Sequence, residues 1–369
     1  PWEILRRLLG SQNPEDCAQA RYLVWHDDRT TSGFGWTSYL LFRAFLQAYI
    51  ENRVLVEAAA VDPSQDRRWR QHWCSDPPFS LKCYFRSWSS CERPSALTHA
   101  SGGLAALPEW QPGSVGQACS CNATAVLWRT SSRSDASIFP GLVSRGRFWW
   151  YAAMVRVLMQ PLPWLQTEAD NFLRKSQLEA RPFVVAAVRR GNKSSETALV
   201  GIEEFTNQLR RMNGLYGVSD VLIQTESQSA LDELQSWCGW RGLRLHYTRN
   251  RRPGMDVFSS KYGPAGANLT EEGRVAVLNL LVGSRALAVL GSFHSAWLKI
   301  MPAFMIAYQW RAVLVVGLAG QDHWTMGSYT GAEAAAQQLL QPGELFADAD
   351  TSAQPAAAAL LQGHPGLSR

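Results

Sequence analysis

The sequence predicts an α/β protein whose C-terminal half is a doubly wound parallel sheet. Strand-like apolar runs alternate with helical segments from residue 183 onward, as parallel sheets covered by helices on both faces require. The 369 residues exceed the usual size of one domain, so we expect two. A hydrophobic fraction of 46% and a charged fraction of 18% supply enough apolar surface for folded cores.

A strand, a turn, a helix and a second strand follow one another near the N-terminus. Residues 21–24 predict the first strand, residues 39–49 carry apolar side chains at helical spacing, and Arg53–Glu57 predicts the second strand. Gly33 and Gly35 in the turn can adopt positive φ, and they allow the backbone to approach a ligand at the helix N-terminus, where N–H groups favour anions. An ordinary tight turn explains the same G-x-G pattern.

Residues 62–145 show no sustained periodicity and contain seven of the eighteen prolines. Irregular segments of this kind lie at the surface and often shape a binding cleft. Five of the seven cysteines fall within it: Cys74, Cys83, Cys91, Cys119 and Cys121. Cys17 and Cys238 lie apart from this cluster. The spacing lacks the paired ligands of a zinc site, which leaves two interpretations: disulfides that hold the segment together, or buried free thiols.

From residue 149 the alternation is regular. Two helical segments, 149–158 and 164–178, precede the first apolar strand of the C-terminal half. Four strands then alternate with four helices, as strand 183–188, helix 201–212, strand 220–224, helix 229–238, strand 243–247, helix 271–282, strand 286–290 and helix 296–306. One more apolar strand, 313–316, precedes an Ala/Gln-rich stretch after residue 332.

Polar clusters follow three of these strands, at Arg189–Lys193, Thr225–Ser227 and Ser292–Ser295. In a doubly wound sheet, ligands bind beyond the carboxyl ends of the strands. The planar, permanently charged guanidiniums of Arg189 and Arg190 suit phosphate oxygens. A solvated arginine pair after a strand is the alternative. The clusters therefore predict a site for a phosphorylated ligand.

Charge and motifs exclude several classes of function. The net charge of +5 is spread over short arginine pairs, which suits small anionic ligands better than nucleic acid. No apolar stretch is long enough for a membrane span and no leader opens the chain, so membrane contact would need an anchor before residue 1. A dinucleotide oxidoreductase would need G-x-G-x-x-G after its first strand and an acid about 20 residues later, and a P-loop enzyme would need G-x-x-x-x-G-K-[ST]. The sequence lacks both patterns, which argues against these two classes of enzyme.

Five segments resemble the motifs of one known family. Residues 160–165 resemble R-P-Q-P-W-L, residues 183–193 resemble a strand that ends in H-V-R-R-x-D-K, and residues 220–227 resemble the strand leading to T-D-D. Residues 290–297 resemble C-T-F-S-S-Q, and residues 32–49 resemble a G-x-G turn into an acceptor-side helix. In order and spacing, the chain resembles the α-1,6-fucosyltransferases and their relatives among nodulation and protein O-fucosyltransferases.

The resemblance implies two Rossmann-like domains that face each other across a cleft, in a GT-B-like arrangement. Residues 1–160 would form the acceptor side, residues 161–331 the GDP-sugar-binding domain and residues 332–369 a flexible tail. The implied reaction is an inverting transfer of fucose from GDP-fucose to a glycan, with an α-1,6 linkage to N-acetylglucosamine of an N-glycan core. Related enzymes need no metal and no cofactor besides the donor. A Golgi or secretory-pathway lumen is the implied location.

The resemblance also assigns roles to single positions. Glu196 is the expected general base, and a surface glutamate near a helix N-terminus is its alternative. Lys193 and Arg189 are expected to neutralise the departing diphosphate. A lone histidine such as His246 is expected to be structural. The donor-binding positions are Arg189, Arg190, Asn192, Thr225, Glu226, Asn279, Ser292, His294 and Ser295. The acceptor-side positions are Gly33, Gly35 and Trp36.

Several positions differ from the family's motifs. Ala187 replaces a histidine, Asn192 replaces an aspartate, Glu226 and Ser227 replace the two acids of T-D-D, and Asn279 replaces an acid near the last helix. Asparagine keeps a hydrogen bond but cannot accept a proton. Three alternatives therefore stay open: fucosyl transfer, a transfer that uses another GDP-sugar or acceptor, and binding without catalysis in a pseudoenzyme.

Overall fold

The residues that the structure describes belong to one unit, which extends over residues 1–327. The structure is a computed structural model that describes residues 2–26, 33–57, 74, 81–91, 107, 125–129, 147–190, 199–238, 242–250, 252, 269–292, 295–311 and 313–318. The domain boundary expected between residues 160 and 161 stays a prediction. The expected tail over residues 332–369 lies outside the described residues.

A three-stranded parallel sheet forms in the N-terminal part of the chain. Its strands are β1 (Tyr22–His26), β2 (Val54–Glu57) and β3 (Ala125–Arg129), in the order β2-β1-β3. Helix α2 (Phe34–Ile50) connects β1 to β2, which confirms the predicted strand–turn–helix–strand unit. Strand β3 corrects the expectation that residues 62–145 are irregular throughout. A five-residue run has no periodicity of its own, and pairing with β1 is what makes it a strand.

Helix α1 (Trp2–Gln12) is an element that the sequence did not indicate. Leu5 and Leu8 are buried in the core, whereas Glu3 and Arg7 form an exposed ion pair. The helix therefore obtains its stability mainly from packing one apolar stripe against the rest of the protein.

Five parallel strands form the second sheet. They are β4 (Phe183–Ala187), β5 (Asp220–Gln224), β6 (Arg244–His246), β7 (Ala288–Gly291) and β8 (Leu314–Gly317). Their order is β6-β5-β4-β7-β8, so the chain builds outward from β4 in both directions and the order reverses between β4 and β7. The predicted doubly wound sheet is confirmed, although β7 and β8 begin slightly later than the sequence indicated.

Helices cover both faces of the second sheet. The helices after β3 are α3 (Arg147–Leu158), α4 (Pro163–Lys175), α5 (Ile202–Tyr216), α6 (Gln228–Cys238), α7 (Leu269–Gly283) and α8 (Ala296–Gln309), and α3 packs against α8. Alternate residues of β4 enter two apolar clusters: Val184 packs with α5 and α6, and Val185 packs in the cluster that contains α4, α7 and α8. The second of these clusters also contains apolar side chains of α2 and β1. Helix α8 therefore packs against α2 of the N-terminal part. Within the described ranges, no helix is long and apolar enough to cross a membrane.

Two disulfides hold the segment 81–91 in place. One joins Cys17 to Cys91 and the other joins Cys74 to Cys83, which confirms the disulfide interpretation for these four cysteines. Cys17 lies apart from the cluster in the sequence, and the fold brings it to Cys91. Between the disulfides, Trp88 Nε1 donates to the Leu55 carbonyl at 2.9 Å and Tyr84 Oη donates to the Thr270 carbonyl at 2.8 Å. Through these two hydrogen bonds the segment 81–91 connects the first sheet to helix α7.

A buried carboxylate organises the amino end of β5. Asp220 is only 1% exposed, and its Oδ1 lies 2.8 Å from both Arg244 Nε and His246 Nε2. His246 thus has a structural partner, in agreement with the expectation. The hydrogen bond from Arg244 lowers the pKa of Asp220 below its usual value, and the His246 hydrogen bond adds to this against the opposing effect of burial.

The depressed pKa of Asp220 predicts that this cluster loses its contribution to stability in acid. A carboxylate with a lowered folded-state pKa stabilises the fold above its unfolded pKa of about 3.9, and this contribution disappears as the pH falls through the folded value. We expect Asp220→Asn to be less stable than the parent at pH 7, and the difference to shrink below about pH 4. Urea unfolding from pH 3 to pH 7 measures this, and a difference independent of pH would contradict it.

Candidate functional site

The three predicted polar clusters follow β4, β5 and β7, which are adjacent in the second sheet. Because parallel strands end at the same edge, Arg189, Glu226 and Ser292 lie beyond one carboxyl edge. The reversal of strand order between β4 and β7 falls at this edge, and doubly wound proteins bind their ligands at such a reversal. Four of the predicted positions, Asn192, Lys193, Glu196 and His294, lie outside the described residues.

Arg189 and Arg190 contact different neighbours after β4. Arg189 Nη1 lies 2.7 Å from Glu226 Oε1, and the two side chains are 27% and 17% exposed. The backbone N–H of Arg190 donates to the same oxygen at 2.5 Å, whereas its guanidinium donates to the Val200 carbonyl at 2.9 Å. Burial lowers the pKa of Arg190, an effect that Glu233 and Glu226 oppose. Glu226 therefore joins the ends of β4 and β5 and keeps Arg189 at the edge.

Thr225 and Ser227 shape the turn on either side of Glu226. Thr225 Oγ1 accepts the backbone N–H of Ser227 at 3.2 Å. Ser227 Oγ accepts the N–H of Ala230 at 3.2 Å, the contact of an N-capping residue at the start of α6. The cluster after β5 thus combines one carboxylate, Glu226, with two hydroxyls whose hydrogen bonds to backbone N–H groups stabilise the turn between β5 and α6.

Ser295 occupies the corresponding position at the start of α8. Its Oγ accepts the N–H of Trp297 at 3.3 Å, and its own N–H donates to the Ser292 carbonyl at 2.9 Å. Because the hydroxyl accepts in this contact, its hydrogen can be donated to an anion. A Cβ on Gly291 would lie 2.9 Å from the Ala187 oxygen, so β7 passes very close to β4 just before this turn.

A chain of hydrogen bonds continues from α8 along the edge. Trp297 Nε1 donates to Gln224 Oε1 at 2.7 Å, and Gln224 Nε2 donates to the backbone oxygen of Asn279 at 2.7 Å. An indole N–H only donates and a carbonyl only accepts, so these partners define the orientation of the Gln224 amide. Asn279 Nδ2 then donates to Thr248 Oγ1 at 3.2 Å, and Thr248 donates to Asn250 Oδ1 at 3.0 Å. Gln224 was not predicted, although a polar residue at the end of an apolar strand was a usable signal.

Helices α2 and α8 meet at their N-terminal turns. A Cβ on Gly35 would lie 2.9 Å from both the carbonyl carbon of Ala296 and the nitrogen of Trp297, so only glycine permits this contact. The close neighbour of Gly35 is thus α8, and the expected approach of this glycine to a ligand stays a prediction. Neither glycine of the turn uses the positive φ that the pattern allows: Gly33 is an extended residue with a φ of −72° before the first turn of α2, and Gly35 lies within α2. The backbones of α2 and α8 are therefore in direct contact in their first turns.

Trp36 completes the contact between the two helices. Its ring stacks on Tyr39 with centroids 5.2 Å apart, and Lys299 Nζ of α8 lies 5.6 Å from the centroids of both rings. Lys299 is 1% exposed. It was not predicted, although a single lysine inside an apolar helix was a signal in the sequence.

The edge combines what an anionic ligand requires. Arg189 carries a permanent charge there, and α8 begins beyond the end of β7 with the positive end of its helix dipole. Within the part of the chain that the structure describes, no group of three or more His, Cys, Asp or Glu side chains is arranged to hold a metal ion.

By sequence, neither a protein-family model nor a curated protein matches the chain. Solved structures do match it. A GDP-fucose-soaked NodZ α-1,6-fucosyltransferase is 14% identical over 77% of this chain and 92% of its own, with a TM-score of 0.49. POFUT1 in complex with GDP is 12% identical over 82% and 99%, with a TM-score of 0.41. A mutant of FUT1 from Arabidopsis thaliana in complex with GDP is 11% identical over 82% and 72%, with a TM-score of 0.48. The structural neighbours of this chain are thus fucosyltransferases, at 11–14% identity.

Proposed function

We propose that this protein is an inverting glycosyltransferase that moves fucose from GDP-fucose to a glycan. The proposed acceptor is N-acetylglucosamine of an N-glycan core, and the proposed linkage is α-1,6. Its site would be the edge formed by the ends of β4, β5 and β7, with the acceptor approaching from the side of α2.

One observation carries the proposal: Arg189 and the capped N-terminus of α8 follow the two strands between which the order of the sheet reverses. This is where a doubly wound sheet binds a nucleotide, and both features favour the charge of a diphosphate. The motif resemblance of residues 183–193, 220–227 and 290–297 covers the same three strand ends. Fold and motif therefore support the same site independently.

The proposed chemistry assigns a task to each group. The acceptor hydroxyl attacks the anomeric carbon of fucose, the bond from this carbon to the β-phosphate oxygen breaks, and GDP departs with the bonding electrons. Glu196 takes the proton of the hydroxyl as general base. Arg189 and Lys193 neutralise the negative charge that develops on GDP, so the reaction as proposed needs no metal ion.

We also propose the lumen of the Golgi or secretory pathway as the location of the protein. The Cys17–Cys91 and Cys74–Cys83 disulfides support it, because disulfides persist in oxidising compartments. The proposed domain division, with residues 1–160 on the acceptor side and 161–331 on the donor side, agrees with one parallel sheet in each part.

A second candidate is a nucleotide-sugar-binding or glycan-binding protein that has lost catalysis. Two observations favour it: the Glu226 carboxylate is engaged by Arg189, and Asn279, which replaces an acid, is engaged by Thr248. Both candidates predict GDP binding, and only the first predicts turnover.

The deciding experiment is mass spectrometry of an N-glycan that ends in N-acetylglucosamine, after incubation with the protein, GDP-fucose and EDTA. We expect a gain of one deoxyhexose. No gain in a preparation that binds GDP would contradict transfer to this acceptor and favour another acceptor, another GDP-sugar or the binding protein.

Once transfer has been measured, Glu196→Gln should lower turnover on the order of 10²-fold and leave GDP affinity unchanged, because the amide cannot accept the proton of the acceptor hydroxyl. Equal activity of this variant would remove Glu196 from the mechanism.

A further inference from the structure

A row of paired residues lies at the carboxyl end of the second sheet. It consists of Gln224 on β5, Ala187 on β4 and Gly291 on β7. Gln224 has the only long side chain of the three, whereas Ala187 has a methyl group and Gly291 has no side chain. Ala187 belongs to the apolar cluster that contains α8, so the small residues leave room on the face of the sheet that α8 covers.

The indole of Trp297 extends across this row. Trp297 lies in the first turn of α8, which follows β7, yet its Nε1 donates to Gln224 Oε1 on β5 at 2.7 Å. Strands β7 and β5 lie on either side of β4, two strand spacings of about 4.8 Å apart. The ring therefore passes over the end of β4. It is partly exposed, and it packs against the cluster that contains Ala187.

Both ends of Trp297 are fixed by close contacts. A Cβ on Gly35 would lie 2.9 Å from the Trp297 nitrogen, so α2 packs directly on its backbone. At the other end, Gln224 Nε2 donates to the Asn279 backbone oxygen at 2.7 Å, which orients the amide that receives the indole N–H. A Cβ on Gly283 would lie 2.9 Å from Gln224 Nε2, so a glycine of α7 makes room for this amide. A ring held in one orientation loses little conformational entropy when a ligand packs on it.

A rigid, partly exposed indole beside a diphosphate site suits a nucleobase, because every base has a π face that can stack on an aromatic ring. Under the proposed function the fucose faces the acceptor on the side of α2, so the nucleoside extends the other way along the edge, toward β5. The Trp297 ring extends in this direction. The side chains of Asn279 and Thr248 lie beyond Gln224 and offer the hydrogen-bonding groups that a base requires.

We propose that Trp297 binds the nucleoside of the donor by stacking on its base, and that Gln224 is the positioning residue that holds the indole in place. The inference rests on the proposed function, since it assumes a nucleotide diphosphate at this edge. Trp297 contributes apolar contact with the base, and Gln224 acts through Trp297 alone.

The test compares the affinities of guanosine, GDP and inorganic pyrophosphate for the full chain and for Trp297→Leu, measured by titration calorimetry. We expect the variant to bind guanosine and GDP about 10-fold more weakly, because one base stacked on one aromatic ring contributes at least this factor. Pyrophosphate has no base, so its affinity should stay unchanged. Trp297→Phe keeps a ring without the N–H, and its guanosine affinity should lie between those of the parent and the leucine variant.

A double-mutant cycle tests the role of Gln224. Gln224→Met removes the acceptor of the indole N–H and keeps a side chain of similar length. It should weaken guanosine binding about fivefold, the value of one hydrogen bond, and it should have no effect when residue 297 is already leucine. A Gln224→Met effect that persists in the leucine background would mean that Gln224 contacts the base itself, and it would overturn the positioning role.

Trp164→Leu is the matched control, because Trp164 is 46% exposed at the start of α4, and it should leave all three affinities unchanged. An equal loss of all three affinities in Trp297→Leu would mean a purely structural role, and an unchanged guanosine affinity would also overturn the inference. If the leucine variant does not fold, Trp297→Phe is judged by the same comparison. A parent protein that binds pyrophosphate but not guanosine would refute this inference alone, whereas a parent that binds none of the three ligands would refute the proposed function with it.

Discussion

Replacing Arg189 by methionine is expected to weaken GDP binding by roughly 10- to 100-fold, which is the value of a lost charge-assisted hydrogen bond. Fucosyl transfer should slow by a further factor on the order of 10²–10³, because the guanidinium would stabilise charge that grows as GDP departs. Arg189 lies at the end of β4, 2.7 Å from Glu226 and at the strand end that we propose as the diphosphate site. Calorimetry for GDP and single-turnover transfer assays measure the two effects separately.

Two further variants make this result interpretable. Arg189→Lys keeps the charge but loses the planar fork, so its GDP affinity should lie between those of the parent and the methionine variant. Arg311→Met removes an exposed arginine beyond the C-terminal end of α8, where Arg311 contacts Gln309, and should change neither measurement. If Arg189→Met binds GDP within twofold of the parent, the diphosphate is not bound at this strand end.

The Arg189–Glu226 contact also allows a double-mutant cycle. Glu226→Gln keeps an acceptor for the Arg190 N–H but removes the negative charge beside Arg189. If Glu226 positions Arg189 for the ligand, Glu226→Gln weakens GDP binding, and the effect disappears when Arg189 is already methionine. If Glu226 merely competes with the ligand for Arg189, the same substitution strengthens GDP binding.

Replacing Arg53 by methionine is expected to lower the free energy of unfolding by about 3–5 kcal/mol, the usual result of removing one partner of a buried ion pair. Arg53 Nε lies 2.9 Å from Glu51 Oε2, and the two side chains are 0% and 2% exposed. Arg53 Nη1 also donates to the Tyr22 carbonyl of β1 at 3.2 Å. The variant would leave a carboxylate buried where α2 turns into β2. Urea unfolding at pH 7, followed by circular dichroism, gives the difference.

The exposed pair of Glu3 and Arg7 provides the control for this prediction. Arg7→Met removes the same guanidinium from an ion pair in water, and it should leave the unfolding midpoint unchanged within error. Glu51→Gln combined with Arg53→Met should be less destabilising than Arg53→Met alone, because the double variant no longer buries the negative charge that Arg53 neutralised. A loss below about 1 kcal/mol for the single variant would show that Glu51 can reach water when Arg53 is absent.

The strand ends of the second sheet could be predicted because each is a local feature. Apolar runs such as that of Phe183–Ala187 are long enough to identify a buried strand, and the polar residues that follow must lie beyond its end. Arg189, Thr225 and Ser292 were therefore placed at one edge without coordinates. The parts of the first sheet were harder, since β3 is a short run in an irregular segment and becomes a strand only through its pairing with β1.

The partners of these side chains were beyond prediction. The pairing of Arg189 with Glu226 joins residues from neighbouring strands, and the disulfide of Cys17 with Cys91 spans 74 positions of the chain. Such contacts depend on the order of the strands, which no local pattern contains. The two glycines of the G-x-G turn illustrate the same limit. The pattern permitted positive φ or a close backbone approach at either one, and only Gly35 has a neighbour so close that a Cβ would not fit.

By itself the sequence determined the α/β class, the doubly wound second sheet, the polar strand ends and the motif resemblance, because periodicity, turn residues and motifs act over a few neighbouring positions. The tertiary structure decided the strand orders, the contact of α2 with α8 at Gly35, and the burial of Lys299 beneath Trp36 and Tyr39. The physical reason is that packing brings together groups far apart in the chain, and the surroundings of a charge depend on which distant elements exclude water from it.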